Sequence, residues 1–462
     1  MKMIVLVVVE ANILYLKRDL RLQSQRDAET HLQFRNIITK GQINEKSEDD
    51  ISNIINSLKE HQSWLHELSV DDIIEYFDKL GKHWKNEITL HEKFGISLEH
   101  IVDFISKENL MKELSLSLRG NYKVLDTFCI LNKDTKRLYH AQPRGLAVHW
   151  IAGNVAVLGI FSIVQALITK NVCLVKAPHE YSILKDIIYS MKDVDTKKIK
   201  GKDLLQCIAL VYIEKNDFEN QQKISLEADT RIAWGGKDAV ESILSLKKKF
   251  FAEDIIYGPK YSYAVIDEKS VINNKESLAQ KLALDISIFD QYACNSPHTI
   301  LVENSKENNE EIRSFAKLLA DAMSAVNRLM IPKQSISEEK AMDILSLRTE
   351  YDIKGEVFCS ENTDWTVILS DEEGLAEPCF SRVIFVRPVN NLHTIGKYQN
   401  RKIQSISLEI ADQNQRIQLA DQITKNGGDR CPGMGMMSLY SSPWDGMFAI
   451  DRLVRWIPLD VN

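Results

Sequence analysis

Apolar residues change their period along this chain. Between about 45 and 120 they recur at helical spacing. Ser69 is placed to cap a helix whose first turn holds Asp71 and Asp72 and whose apolar face is Ile73, Ile74, Tyr76, Phe77 and Leu80. A second cap is predicted at Ser97, ahead of Ile101, Val102, Phe104 and Ile105. This stretch reads as a helical layer packed on a larger domain. From about 146 the pattern becomes short apolar runs alternating with helical stretches. Strands are predicted over 146–151, 172–175, 208–213 and 231–234, with helices over 155–169, 181–191, 217–226 and 237–246. Alternation of this kind predicts a mainly parallel sheet covered by helices, with ligands at the carboxyl ends of its strands. After about 261 a second α/β unit follows, with strands at 263–266, 366–369 and 383–386 and helices at 275–288 and 308–328.

Two apolar segments invite other readings. Met3–Val9 follows Lys2 as a signal peptide would, but Glu10 ends the run without a small-residue cleavage site, so it reads as a strand. Trp150–Ile168 approaches the length of a membrane span, yet it contains Gly153, Asn154, Gly159, Ser162 and Gln165. A buried strand-loop-helix unit fits it better, and no stable membrane span is expected.

The chain has 462 residues, of which 44% are hydrophobic and 27% charged, and this fits an ordinary globular protein of two or more domains. A formal net charge of -7 gives no reason to expect nucleic acid as a partner. The run Lys247-Lys248-Lys249 reads as a solvated helix face. Seven cysteines without a CxxC pair argue against a disulfide framework or a metal site, and a reducing cytoplasm is the simplest compartment. Six of them are expected to be small buried apolar residues.

The seventh, Cys294, stands in Asp290-Gln291-Tyr292-Ala293-Cys294-Asn295-Ser296-Pro297, between a helical stretch and an apolar run. Such a thiol is a candidate nucleophile, and the Gly145–Asn154 stretch offers an amide for an acyl oxygen. The order and spacing of several further motifs carry a resemblance. They are Pro143-Arg144-Gly145, Ala152-Gly153-Asn154-Val155, Val175-Lys176, Ala233-Trp234-Gly235-Gly236-Lys237, Tyr257-Gly258-Pro259-Lys260, Ser381-Arg382, Gln404-Ser405-Ile406-Ser407 and Arg452-Leu453-Val454-Arg455. From roughly 120 to 456 the chain resembles the aldehyde dehydrogenase superfamily, and most closely its LuxC-type acyl-CoA reductases. The resemblance implies an α/β, aldehyde dehydrogenase-like fold with a Rossmann-like cofactor domain and an α/β catalytic thiol domain. On this reading residues 1–120 form a helical layer of the cofactor domain, 121–260 the Rossmann-like part, 261–445 the catalytic domain and 446–462 a C-terminal segment.

The resemblance also implies roles. Cys294 is the nucleophile and Asn154 the oxyanion donor, together with the Cys294 backbone N–H. Lys176 holds the cofactor's adenosine ribose, Gly235 and Gly236 let backbone approach a pyrophosphate, and Trp234 and Gly258 complete the cofactor set. No metal is implied. After Lys176-Ala177-Pro178 the family's acidic residue is replaced by His179, with Glu180 one further on. Loss of that acid favours NADPH, with NADH as the alternative. Ile256 stands where hydrolytic members carry the glutamate that activates water, and Glu253 and Asp254 are the nearest acids. Without that base a thioester outlives water attack, which favours a CoA-linked reductase over an acid-forming enzyme. The motif Glu377-Pro378-Cys379-Phe380 is a broken counterpart of the family's nicotinamide-ribose glutamate, and His298 lies four residues past Cys294. The expected reaction is NADPH-dependent reduction of long-chain fatty acyl-CoA, or of an acyl-protein thioester, to fatty aldehyde. An acyl-protein synthetase or acyltransferase partner and a homo-oligomer are implied by the family. Two other readings stay open: a hydrolytic or semialdehyde-type dehydrogenase, and an acyl-holding subunit inactive without its partner.

Overall fold

The computed structural model describes residues 48–132, 136–153, 158–178, 184–304 and 309–461, with side chains from Ile51 onward. The chain divides into units 1–54 and 55–462. The strand expected at Met3–Val9 lies outside the described residues.

The helical layer forms as its periodicity predicts. Ser69 caps the helix Val70–Trp84 in a reciprocal box: its hydroxyl accepts from the Asp72 N–H at 3.1 Å, and the Asp72 carboxylate accepts from the Ser69 N–H at 3.3 Å. Ser97 is not a cap. The helix Ile88–Phe94 stops at Gly95, which takes φ 51, and the next helix starts at Ile96. Glycine adopts that conformation without the penalty other residues carry, so the break falls two residues earlier than Ser97 suggests. The layer is tied to the chain beyond the first crossover helix. The Tyr76 hydroxyl donates to the Met191 carbonyl at 2.6 Å, and the Trp84 indole N–H to Ser190 Oγ at 2.7 Å.

The first βαβ series builds a five-stranded parallel sheet. Its strands are β3 (Leu146–Trp150), β4 (Val172–Ala177), β5 (Ile208–Tyr212), β6 (Thr230–Trp234) and β7 (Glu253–Tyr257), in spatial order β5-β4-β3-β6-β7. The helix Leu158–Ile168 between β3 and β4 is buried on every face, which is why its sequence reads as nearly continuous apolar. Strand order reverses between β3 and β6, and in sheets of this kind ligands bind beyond the carboxyl ends at such a reversal. The lysine run at 247–249 follows the helix Lys237–Ser245 instead of lying on it. Lys248 pairs with Asp254 at 2.8 Å and Lys249 with Asp229 at 2.9 Å, so the run pins a loop against the sheet.

The second sheet has six strands in the order β10-β11-β12-β9-β8-β13. They are β8 (Tyr261–Ile266), β9 (Pro297–Glu303), β10 (Glu356–Cys359), β11 (Thr366–Leu369), β12 (Val383–Val389) and β13 (Ile403–Glu409), and all but β10 run parallel. Alternate residues serve opposite faces. Ala264 and Ile266 meet the helices Glu268–Ser287 and Asn309–Leu329, while Tyr263 and Val265 pack toward Leu392, Leu419 and Ile423. The helix read as 275–288 starts earlier, because Asp267 caps it at the Ser270 N–H. A third sheet joins β1 (Cys129–Ile130), β2 (Arg137–Pro143) and β14 (Val454–Asp460), so the C-terminal strand returns to pair antiparallel with β2. None of those three strands shows a clean alternation in sequence.

All seven cysteines are free thiols, and of the six expected to be buried only Cys173 and Cys207 are; Cys359 is exposed. Among the described residues no helix is long and apolar enough to cross a membrane, and no cluster of His, Cys, Asp and Glu could hold a metal ion. Phe315 is fully buried between the two long helices and the second sheet, whereas Ile353 is 86% exposed. Phe315→Ala is expected to cost about 3–5 kcal/mol and Ile353→Ala less than about 0.5 kcal/mol, read from urea unfolding midpoints.

Candidate active site

Cys294 owes its position to an uncommon stretch of backbone. Phe289, Asp290 and Gln291 take φ of 56, 49 and 67, in the left-handed region. Across from them Phe380, Ser381 and Arg382 do the same, with φ of 59, 54 and 62. Residues other than glycine resist this region, so both triplets must be held from outside. They hold each other. Arg382 Nε donates to the Asp290 carboxylate at 2.6 Å, and Arg382 Nη1 donates to Asn327 Oδ1 at 3.0 Å. The Gln291 amide pairs with the Val383 backbone in both directions, at 2.9 and 2.9 Å, and also reaches the Pro297 carbonyl at 2.7 Å. The Tyr292 ring lies parallel to Phe380 with centroids 5.6 Å apart, and its hydroxyl bonds Ser381 Oγ at 2.9 Å. Gln291 and Arg382 are fully buried.

Beyond this clamp the chain rises to Cys294 and enters β9. The Cys294 carbonyl accepts from Ser262 Oγ at 2.8 Å, and Ser262 Oγ accepts from the Ser405 N–H at 3.0 Å. The Asn295 amide is spent on the Met437 carbonyl at 2.6 Å. The thiol is half-buried and is pushed up to about 12, first by burial and then by the Asp445 carboxylate; Arg430 and Lys260 oppose the rise. At neutral pH the resting thiol is therefore protonated, and thiol chemistry here needs a group that removes the proton as substrate binds.

The cofactor residues read from sequence gather at one edge. Lys176 lies near the carboxyl end of β4 and Trp234 ends β6, while Gly235, Gly236 and Gly258 follow β6 and β7. The Lys176 ammonium is half-buried, is lowered by burial, and has no ion pair among the described residues. A Cβ added at Gly236 or Gly258 would meet nothing within 4 Å, so both border open space, and Gly236 starts the helix Lys237–Ser245. Trp234 is buried, with its ring stacked on Tyr257 at 3.7 Å and its indole N–H donating to Ser162 Oγ at 3.3 Å. Trp150, at the end of β3 beside the reversal of strand order, keeps a buried indole N–H without a partner among the described residues. A half-buried cation, an unused donor and open glycine backbone at a strand-order reversal fit a nicotinamide dinucleotide. Asn154, His179 and Glu180 lie outside the described residues.

Ile256 is half-buried on β7, and the acids beside it are occupied. Asp254 is bound by Arg231 at 2.7 and 2.9 Å and by Lys248, while Glu253 pairs with Arg452 and Arg144. Neither is free to act as a base. Glu377 is exposed. His298 is buried edge-on to Phe380 with no hydrogen bond to either ring nitrogen among the described residues, and burial pushes it down to about 3, so it is a neutral packing residue.

Sequence reading missed the charges around the thiol. Lys260, on the crossing between the two large sheets, pairs with Asp429 and stands 3.9 Å from the Asp445 carboxylate. Arg430 donates to the Leu439 carbonyl at 2.9 Å and covers the Trp444 ring at 4.2 Å. Asp285 accepts from the N–H groups of Gly435 and Met437 at 2.6 and 3.0 Å, and burial pushes it up to about 7. The one local signal was the dipeptide Asp445-Gly446, a two-residue turn former.

Known proteins resemble this chain in sequence and fold. The family model for the acyl-CoA reductase LuxC matches residues 65–456. A long-chain acyl-protein thioester reductase of Aliivibrio fischeri is 26% identical over 420 residues, covering 84% of this chain and 82% of that protein. One from Photobacterium leiognathi is 24% identical over 415 residues, covering 85% and 83%. Among solved structures, an aldehyde dehydrogenase from Bartonella henselae superposes with a TM-score of 0.61 at 14% identity, covering 90% of this chain and 91% of that one. Aldehyde dehydrogenase 21 from Physcomitrella patens, solved with succinate, gives 0.64 at 11% identity, covering 90% of each chain. At such identities the likeness establishes the fold, which is that of the aldehyde dehydrogenases.

The clamp below Cys294 is open to test. Arg382→Ala leaves the Asp290 carboxylate buried without its cation and is expected to cost about 3–5 kcal/mol, measured by urea unfolding. A loss below about 1 kcal/mol would mean that the two left-handed triplets do not depend on this pair.

Proposed function

The chain belongs to the LuxC acyl-CoA reductase family and is an oxidoreductase acting on acyl groups, and from this premise we propose that it reduces long-chain fatty acyl thioesters to fatty aldehydes through an acyl-Cys294 intermediate. The observation that carries the reading is a half-buried thiol in a chain whose acids beside Ile256, Glu253 and Asp254, are both held by cations.

The Cys294 sulfur attacks the thioester carbonyl, a new carbon–sulfur bond forms, and the donor's thiol leaves. The acyl group comes from acyl-CoA or from a thioester on a partner protein. Asn154 and the Cys294 N–H donate to the oxyanion; a donor of this kind contributes about 3–4 kcal/mol to the transition state. Lys176 would hold the cofactor's adenosine ribose, backbone at Gly235 and Gly236 would approach its pyrophosphate, and Trp234 and Gly258 would complete the cofactor set. When bound, NADPH supplies a hydride to the acyl carbon; replacement of the family's acid by His179 supports NADPH over NADH. Cys294 then leaves the resulting hemithioacetal as thiolate, and the aldehyde is released. With Ile256 in the base's place and Asp254 and Glu253 held by cations, neither acid activates water, and the acyl-enzyme outlives water attack until it is reduced.

The test is NADPH oxidation with myristoyl-CoA, with the aldehyde trapped and identified. Aldehyde should match NADPH consumed, and Cys294→Ala should lower turnover by at least about a thousandfold and abolish acyl uptake. Release of free fatty acid from the wild type, or turnover unchanged in Cys294→Ala, would contradict the reading.

A further inference from the structure

Ser262 touches the nucleophile's own backbone, and the reaction above gives it no task. It is the second residue of β8 and is fully buried. The ladder is irregular on both sides of it. Ser262 pairs with Pro297 on β9, but Tyr263 pairs with Thr299, so β9 carries one extra residue there. On β13 the partners of Tyr261 and Tyr263 are Ile403 and Ile406, so that strand also carries one extra residue. Pro297 has no N–H to give to the ladder, and a strand that begins with proline is free to slip at its first pair. Extra residues of this kind recur beside active sites, where they re-aim a neighbouring group.

At this point two backbone groups find their partner in a side chain. The Ser262 hydroxyl accepts from the Ser405 N–H at 3.0 Å and donates to the Cys294 carbonyl at 2.8 Å. A hydroxyl can accept and donate at once, which an alanine or a valine here could not. Among the described residues nothing else donates to the Cys294 carbonyl. The other contacts nearby act on the neighbours of Cys294. The Gln291 amide reaches the Pro297 carbonyl at 2.7 Å, the Asn295 amide the Met437 carbonyl at 2.6 Å, and the Ser296 N–H the Ala293 carbonyl at 3.0 Å. The Ser262 bond is the one that fixes the peptide between Cys294 and Asn295, and with it the torsion about the Cys294 Cα–C bond. It also gives a task to the motif Gln404-Ser405-Ile406-Ser407, whose bulged backbone turns the Ser405 N–H toward β8.

We propose that Ser262 is a positioning residue for Cys294: its hydroxyl ties the nucleophile's peptide to β13 and holds the sulfur on its line of attack toward the acyl carbon. The inference rests on the acyl-cysteine reading above. Attack on a thioester carbonyl needs the reacting atoms about 3–3.5 Å apart and aligned, and a displacement of about 1 Å can cost a hundredfold in rate. Loss of the hydroxyl leaves the Ser405 N–H and the Cys294 carbonyl buried without this partner, and the peptide turns to recover one. A turn of that peptide moves the Cys294 side chain. An acyl thioester anchored by its own binding contacts needs the sulfur in one place. A small electrophile, free to approach along any open path, does not.

The test compares Ser262→Ala with the isosteric pair Ser262→Thr, which keeps the hydroxyl, and Ser262→Val, which does not. Acylation of Cys294 by myristoyl-CoA is followed by rapid quench and intact mass over a range of concentrations, and alkylation by iodoacetamide is followed in parallel. In Ser262→Ala the limiting acylation rate should fall at least about tenfold, with the half-saturating concentration within about twofold of wild type. Alkylation should stay within about threefold of wild type with its pH profile unmoved, because the thiol keeps its surroundings. Ser262→Thr should retain most of the acylation rate and Ser262→Val should lose it. These two share a shape, so their difference reads the hydroxyl even where Ser262→Ala does not fold. An unchanged limiting rate in Ser262→Ala, or equal rates in Ser262→Thr and Ser262→Val, overturns the proposal. Acylation and alkylation falling together make Ser262 structural and also overturn it. Wild-type protein that takes up no acyl group sinks the acyl-cysteine reading, and this proposal with it.

Discussion

The buried pair of Asp290 and Arg382 is the constraint on which the site depends. It fastens together two stretches of left-handed backbone, 289–291 and 380–382, that neither sequence would adopt alone. At about 1 kcal/mol or more for each such residue, the six together approach the net stability of an ordinary domain. They persist because contacts run between the two stretches and their neighbours: an ion pair at Asp290, a reciprocal amide–backbone pair from Gln291 to Val383, and the Tyr292 ring stacked on Phe380. The result is a rigid ramp that ends at Cys294. Precise placement of a nucleophile lowers a barrier only if the atom is already where the acyl carbon will be, and rigid backbone is how that is achieved without spending substrate binding energy on ordering.

Above the ramp the charges nearly balance. Lys260 and Arg430 face Asp429 and Asp445, with the thiol among them. Burial, more than these charges, keeps the resting sulfur protonated and so unreactive toward adventitious electrophiles. It also places cationic groups where negative charge develops on sulfur during transfer. The missing hydrolytic base fits the same logic. On β7 the neighbouring acids are consumed by Arg231, Lys248 and Arg452, so the protein carries carboxylates near the site without offering one to water.

The sequence foretold the parts of this account that depend on local pattern. Apolar runs alternating with helical stretches revealed the parallel sheets, and the Ser69 cap was legible from one serine and two aspartates. Lys176, Gly235, Gly236 and Gly258, read from motifs, lie at the carboxyl edge of one sheet. Ser97 misled because a glycine two positions earlier set the boundary. The third sheet was hidden because β2 and β14 lie about 300 residues apart and each is only half covered, so neither has a clear period. Asp445 was invisible for a further reason. An Asp-Gly turn is usually solvated, and nothing local says that a distant lysine and a distant glutamine close over it.

The central claim is that the acyl group resides on Cys294 between its arrival and its reduction. A single-turnover chase reads this most directly. The protein is mixed with a limiting long-chain acyl thioester, the bound acyl group is located by peptide mass, and NADPH is then added. The account predicts a stable acyl adduct on the Cys294 peptide, discharged as aldehyde when NADPH arrives. An adduct on another residue, or aldehyde formed while Cys294 stays unmodified, would contradict it.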